Sequence, residues 1–348
     1  MPGRSRLKLA VLVTLSVLLV LGAARLVGGI PKQLLVVTGV IFLVWSAALW
    51  GLNRRTAQSA ARQISQLLLA WIATTAVLLG AVYHFDRAGW LWLQLTGYDV
   101  TLAEDLADRV DLSIAEFIDR HPFFSVDSQD STRLVLRKGE YDVDETIVVP
   151  RGSSLTIEAG AVVRFAAGRS LISYSPIIAR GTDTEPILFT AQQPWLKWGV
   201  VGIVRAGQSI FEHVRVEHGR QALVNNVDFF GSLSLIEADV EIAHSQFLNL
   251  FGKDAVYVRG GQALIRDNLF REARQDCLDL DGGAGEISHN QFINCGDEGI
   301  DLSESGPMRV FGNKILDRGG GRISADTNLD EIKSSNTLGY SGDEEKSP

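Results

Sequence analysis

Val240 to Phe247 reads VEIAHSQF, Leu264 to Phe270 LIRDNLF, Glu286 to Phe292 EISHNQF and Arg309 to Ile315 RVFGNKI. The four segments end on Phe247, Phe270, Phe292 and Ile315, which lie 23, 22 and 23 residues apart. A second short apolar strand follows each one, and its members Val256, Leu278, Ile300 and Ile323 keep the same step, 22, 22 and 23. Side chains alternate within each strand. A fixed period in this range, with alternation inside short strands, marks a repeat in which one supersecondary unit stacks on the next. The expected architecture is all-β, a solenoid of parallel strands.

Stacking places sequence-distant residues in columns. Ile242, Ile265, Ile287 and Val310 form an inward column, where β-branched side chains suit a strand packed against its own copies. Ser245, Asn268, Asn290 and Asn313 share the position before the anchor. Asn there tolerates a left-handed turn, and its amide can hydrogen-bond the Asn of the next coil. With this period, Asn column and stacked aliphatics, the chain resembles the right-handed parallel β-helix, or pectin-lyase-like, superfamily over roughly residues 132 to 326. Leu155 to Phe165 (LTIEAGAVVRF) and Ile178 to Phe189 (IARGTDTEPILF) are similar to the opening coils of bacterial members. The resemblance implies a fold; activity has to be argued from a site.

Charge divides the 348 residues in two. Residues 1–83 hold eight Lys or Arg and no acid, so the remainder carries all 41 acids against the other 25 of 33 bases, a formal charge of −16. That excludes a nucleic-acid role for the C-terminal part, since phosphate binding needs a basic face. Apolar stretches at about 8–29, 33–52 and 64–83 each approach the roughly 20 residues that span a bilayer as a helix. Arg4, Arg6 and Lys8 precede the first, and Arg54, Arg55 and Arg62 lie between the second and third, which puts both segments on the cytoplasmic side. The expected location is the bacterial cytoplasmic (inner) membrane, crossed three times, with the C-terminal domain extracytoplasmic, in a two-membrane cell periplasmic. Trp90, Trp92 and Tyr98 suit either an interfacial belt or packing on the solenoid end.

The expected domains are therefore a transmembrane unit (1–83), an interfacial segment with a helical N-terminal cap (84–125), the β-helix (126–329) and a disordered acidic tail (330–348). In the cap, Thr101 with Glu104 and Ser113 with Glu116 fit capping boxes opening two short helices. Residues 222–238 break the period and form an insertion whose Phe229, Phe230 and Leu233 would pack on a neighbouring coil or bind a ligand. Cys277 and Cys295 align with Gly299 and Ala273, so they do not stack directly. They are expected to be small core or turn residues, with a disulfide as the alternative.

On the second strand of each coil, alternation turns Asp279 and Asp301 outward in one column with Tyr257 and Ser324. Arg259, Asp281, Ser303 and Asp326 follow in the next. Carboxylates on coils about 4.8 Å apart repel, which raises one pKa or recruits a cation such as Ca2+; no other cofactor is expected. The resemblance implies that an enzymatic relative would bind a glycan across such a face. Asp279 and Asp301 would then be catalytic, and Asp281, Arg259, Ser303 and Arg322 (with Lys314 as a further cation) would hold substrate acid groups. His244, Asp267 and His289 share a column at a strand end, where such residues more often cap a turn by hydrogen bonding to backbone than hold zinc, so no metal is assigned to them.

Two expectations from different classes stand together at this point. One is a membrane-anchored binding or scaffolding module for a polysaccharide or for other membrane-protein subunits. The other is a polysaccharide lyase, epimerase or glycoside hydrolase on the outer face. A groove lined by aromatics and bases would favour the enzyme.

Overall fold

The computed structural model describes residues 103–193, 196–317 and 320–341. The chain divides into two compact units, 1–100 and 101–348. The three predicted spans and the Trp90–Tyr98 segment lie outside the described residues. Among the described residues no helix is long and apolar enough to cross a membrane.

The second unit is a solenoid. Two nine-stranded sheets and one eight-stranded sheet run its length, and almost every strand pairs in parallel with its counterpart one coil away. The first sheet holds Val240–Ala243, Gln262–Arg266, Ala284–Ser288 and Met308–Phe311. The second holds Gln246–Leu250, Leu269–Ala273, Gln291–Cys295 and Lys314–Asp317. The third holds Gly231–Ile236, Asp254–Arg259, Asp276–Asp281, Ile300–Ser303 and Ile323–Ala325.

The register agrees with the columns expected from the period. Phe247, Phe270, Phe292 and Ile315 pair in sequence in the second sheet, fully buried, with ring centroids 4.9 and 4.7 Å apart along the three phenylalanines. Ile242, Ile265, Ile287 and Val310 line the first sheet in the same way. The Asn column is a continuous buried ladder: Asn268 Nδ2 donates to Asn290 Oδ1 at 2.9 Å, and Asn290 Nδ2 to Asn313 Oδ1 at 2.9 Å. Each amide also donates to a main-chain carbonyl of the coil before, at Ile242, Ile265 and Ile287.

One detail of the corner differs from expectation. The left-handed residue is the one before the column position: His213, His244, Asp267 and His289, preceding Val214, Ser245, Asn268 and Asn290, have φ of 49, 50, 58 and 56°, and Gly312 before Asn313 continues the column at 69°. At Asp267 and His289 a strained backbone is thus held at a solvent-facing corner by the buried amide beside it.

The 222–238 insertion packs rather than projects. Ala222–Val224 and Val227–Phe229 form a hairpin through Asn225 and Asn226, both at positive φ as a tight primed turn requires. Ala103–Glu104 adds a parallel third strand to it. Phe229 lies against Gly202 of the third sheet, where an added Cβ would come within 2.6 Å of the ring. With Ile172, Val200, Val204, Ile236 and Tyr257 it makes a second hydrophobic cluster outside the solenoid wall. Leu233 has a different role: it is an interior residue of a regular third-sheet strand.

Both ends are covered. At the N-terminal end the Ser113–Glu116 capping box is present and opens α1 (Ile114–Arg120), whose Phe117 joins the solenoid core. The other expected helix is absent: Ala103–Glu104 is the strand described above, and only a 3-10 turn, Ala107–Arg109, follows. Glu104 is taken up by Thr146 and Arg169, which fixes this segment to the wall as a strand instead of leaving it to close a helical turn. At the C-terminal end the expected disorder of 330–348 does not hold for residues 330–341. Helix α2 (Leu329–Ser334) buries Ile332 in the core, and Thr337–Tyr340 pairs with Lys314–Asp317. Asn336 extends the ladder, accepting from the backbone and side-chain nitrogens of Asn313 at 2.8 and 2.9 Å.

Within the N-terminal cap, His121 is 3% exposed and ringed by Phe117, Phe123 and Phe124. Burial pushes its pKa down to about 4, against the pull of Glu145 and with the help of Arg120 and Arg109. Between pH 6.5 and 4 the unfolded chain therefore takes up a proton that the folded chain refuses. Stability contributed above pH 6.5 is lost as pH falls through that window, by about 2–3 kcal/mol. Urea unfolding at pH 7.5 and 4.5 should show this acid-side loss in wild type, and a smaller one in His121→Phe.

Cys277 and Cys295 are joined in a disulfide, with Cα atoms 5.5 Å apart. The pairing is diagonal: Cys295 stacks on Ala273, and Cys277 lies just around the corner from Ala273. Column alignment shows only direct stacking, so it misses such a bond. Closing an 18-residue separation should contribute about 3 kcal/mol. Reduction, or Cys295→Ser, is expected to lower the unfolding free energy by that amount, read as a fall in the denaturant midpoint.

Candidate functional site

The third sheet sets the expected columns in register. Tyr257 pairs with Asp279, Asp279 with Asp301 and Asp301 with Ser324; Arg259 pairs with Asp281 and Asp281 with Ser303. Five of the six sequence-selected site residues therefore share one face. Arg322 does not join them: it precedes its strand and pairs at the corner with Asp297 at 2.8 Å.

The two carboxylates proposed for chemistry occupy different environments. Asp301 and Asp281 are half-buried, whereas Asp279 is 3% exposed although it points away from the solenoid interior. Its cover comes from the two preceding coils. Lys253 Nζ lies 3.6 Å from Asp279 Oδ2 and 5.2 Å from the centre of the Phe230 ring, and Phe230 packs on Tyr257 at 5.2 Å. The Tyr257 hydroxyl donates to Asp281 Oδ2 at 2.7 Å. These groups and the outer hydrophobic cluster close the wall over this part of the sheet.

Beneath this cover lies a group of acids. Asp254 and Asp276 stack at the start of their strands, and with Asp279 they bring one oxygen each within 4.8 Å of the others. Asp276 also meets Asp297 and Glu298 in the same way, and its Oδ1 accepts from the Glu298 N–H at 2.8 Å. Burial, then the charge of Asp279, pushes Asp254 up to about 8. Burial, then Asp281, pushes Asp279 up to about 7, and burial with Asp276 does the same to Glu298. Burial works against the charge on Lys253, but Asp254 and Asp279 outweigh it and hold the ammonium above its ordinary pKa.

An aspartic acid protonated near neutrality could serve as a general acid, provided that substrate reaches it. The open surface nearby is a shallow depression lined by Glu237, Arg259, Gly260, Asp281, Gly282, Ser303 and Glu304, with no aromatic side chain in its lining. Asp279 is not in it. The His244–Asp267–His289 column supplies left-handed corners, and the metal-type clusters among the described residues are the two carboxylate groups above.

Coil register, three sheets and a single apolar interior together determine the fold class. The described domain is a right-handed parallel β-helix. Residues 231–340 match the family model for the right handed beta helix region. No curated protein and no solved structure matches the chain. The match covers the β-helix coils that carry the Asn ladder and all the site residues, and it shows the fold alone.

Sequence reasoning missed Lys253 and Phe230 as the cover of Asp279, and the buried position of Asp254. One signal was available: an apolar pair, Phe229–Phe230, follows the Asn225–Asn226 turn dipeptide, which points to a hairpin folded back on the wall.

Proposed function

We propose that this protein is a membrane-anchored scaffold, in which three N-terminal spans hold an extracytoplasmic β-helix that binds other subunits of an envelope assembly or a polysaccharide. The observation that carries this reading is the closure of Asp279. An outer-face enzyme needs its acid in a cleft, and here the acid lies under Lys253 and Phe230. The accessible strip of Arg259, Asp281 and Ser303, with the half-buried Asp301 in the adjoining column, is a shallow polar surface of the kind that fits a partner's face. The Cys277–Cys295 bond supports the extracytoplasmic location, because disulfides persist in oxidising compartments. The charge pattern of the first 83 residues supports the orientation. Three spans exceed what anchoring requires, which favours lateral contact with other membrane subunits.

Purification in mild detergent, with identification of co-purifying chains, tests this reading. Stable partners lost on Asp301→Lys with Ser303→Lys would support it. Turnover of uronate polymers by wild type, abolished in Asp279→Asn, would replace it with the lyase, epimerase or hydrolase alternative.

A further inference from the structure

The buried acids beneath the wall ask for a ligand of definite kind. Asp254 is 1% exposed, and neither of its carboxylate oxygens has a hydrogen-bond partner; Asp279 Oδ1 is buried and unpartnered as well. Folded proteins rarely leave such atoms unsatisfied, because each costs the full desolvation of a group that in water accepts several hydrogen bonds. These oxygens come from two consecutive coils and converge on one point with an oxygen of Asp276.

We propose that Asp254, Asp276 and Asp279 bind one calcium ion, a structural clamp that ties two adjacent coils of the β-helix at their corner. The donors are all carboxylate oxygens, which select hard cations over zinc or copper. One oxygen from each of the three lies within 4.8 Å of the others, close enough for a single ion to reach all three through calcium–oxygen bonds of about 2.4 Å. Magnesium, at about 2.1 Å, draws its ligands closer and keeps several waters, for which a corner closed by Lys253 and Phe230 is poorly suited. Charge points the same way: three carboxylates and the Lys253 ammonium leave two negative charges, which one divalent cation neutralises. The clamp is separate from the accessible strip of Asp281, Asp301 and Ser303, so it serves the fold and does not bridge a substrate.

The test uses the full chain in detergent, treated with EGTA and exchanged into calcium-free buffer at pH 7.5. Calcium chloride is then titrated by calorimetry and by thermal unfolding. The expected result is one ion per chain and a saturable rise of several degrees in the unfolding midpoint, reversed by EGTA, with magnesium weaker by about tenfold or more. Asp254→Asn and Asp279→Asn should each lose the response, and Asp330→Asn, on the exposed side of α2, should keep it. If either site variant fails to fold, the wild-type titration and the metal content of the protein before chelation decide. A wild-type chain that neither retains nor responds to calcium overturns the proposal, and so does a response that survives in Asp254→Asn and Asp279→Asn. Greater stability of Asp254→Asn without any calcium binding would show that shared protons neutralise the site, which also overturns it.

Discussion

Asn290→Ala is expected to lower the stability of the solenoid by about 3–5 kcal/mol, a large effect for one polar residue. Asn290 is fully buried in the middle of the ladder. Its Oδ1 accepts from the Asn268 N–H at 3.0 Å and from Asn268 Nδ2 at 2.9 Å, and its own Nδ2 donates to the Ile265 carbonyl and to Asn313 Oδ1. Truncation leaves those groups buried without these partners, and each such loss costs about 1–3 kcal/mol. The left-handed His289 next to it loses its brace as well. In a solenoid each coil contacts only its neighbours, so the damage should concentrate in the coils on either side. Hydrogen exchange in strands Gln262–Arg266 and Lys314–Asp317 should quicken in the variant, and Gln246→Ala, at an exposed position, should leave it unchanged.

Phe270→Ala should cost a similar 3–5 kcal/mol by a different route. The ring is sandwiched between Phe247 and Phe292 at 4.9 and 4.7 Å, and both neighbours are held by strands in fixed register. A β-helix coil cannot shorten to close the gap, so the variant carries the lost transfer energy together with a cavity. Phe270→Leu refills most of that volume and should cost about 1–2 kcal/mol. Urea midpoints of the two variants, measured with the disulfide intact, check the ordering; equal effects would mean that the wall relaxes around the site.

The coils were legible in the sequence because parallel stacking turns a spatial neighbour into a residue 22 or 23 positions away. Phe247, Phe270 and Phe292 announce their contact through spacing alone. The same rule holds for Asn336 and Leu338, which continue the columns of Asn313 and Ile315 at the expected step of 23. They were obscured because polar residues surround them and read as a tail. Features that break the one-dimensional rule were not legible. The Cys277–Cys295 bond crosses a corner diagonally, and although Asn225–Asn226 and Phe229–Phe230 signal a packed hairpin, the covered coils themselves carry no mark of how far it reaches. Outward parity was right for Asp279, but parity says which side of the wall a residue takes. Exposure depends on what the preceding coils lay over it, here Lys253 and Phe230.

The functional reading turns on that cover, and carbodiimide labelling of carboxyl groups in the folded protein, mapped by mass spectrometry, measures it directly. Asp281 and Asp301, half-buried on the open strip, should couple to a soluble amine, while Asp279 stays unmodified until the protein is denatured. Labelling of Asp279 in the folded chain at the rate of Asp301 would mean an accessible cleft, and the closed scaffold described here would be contradicted.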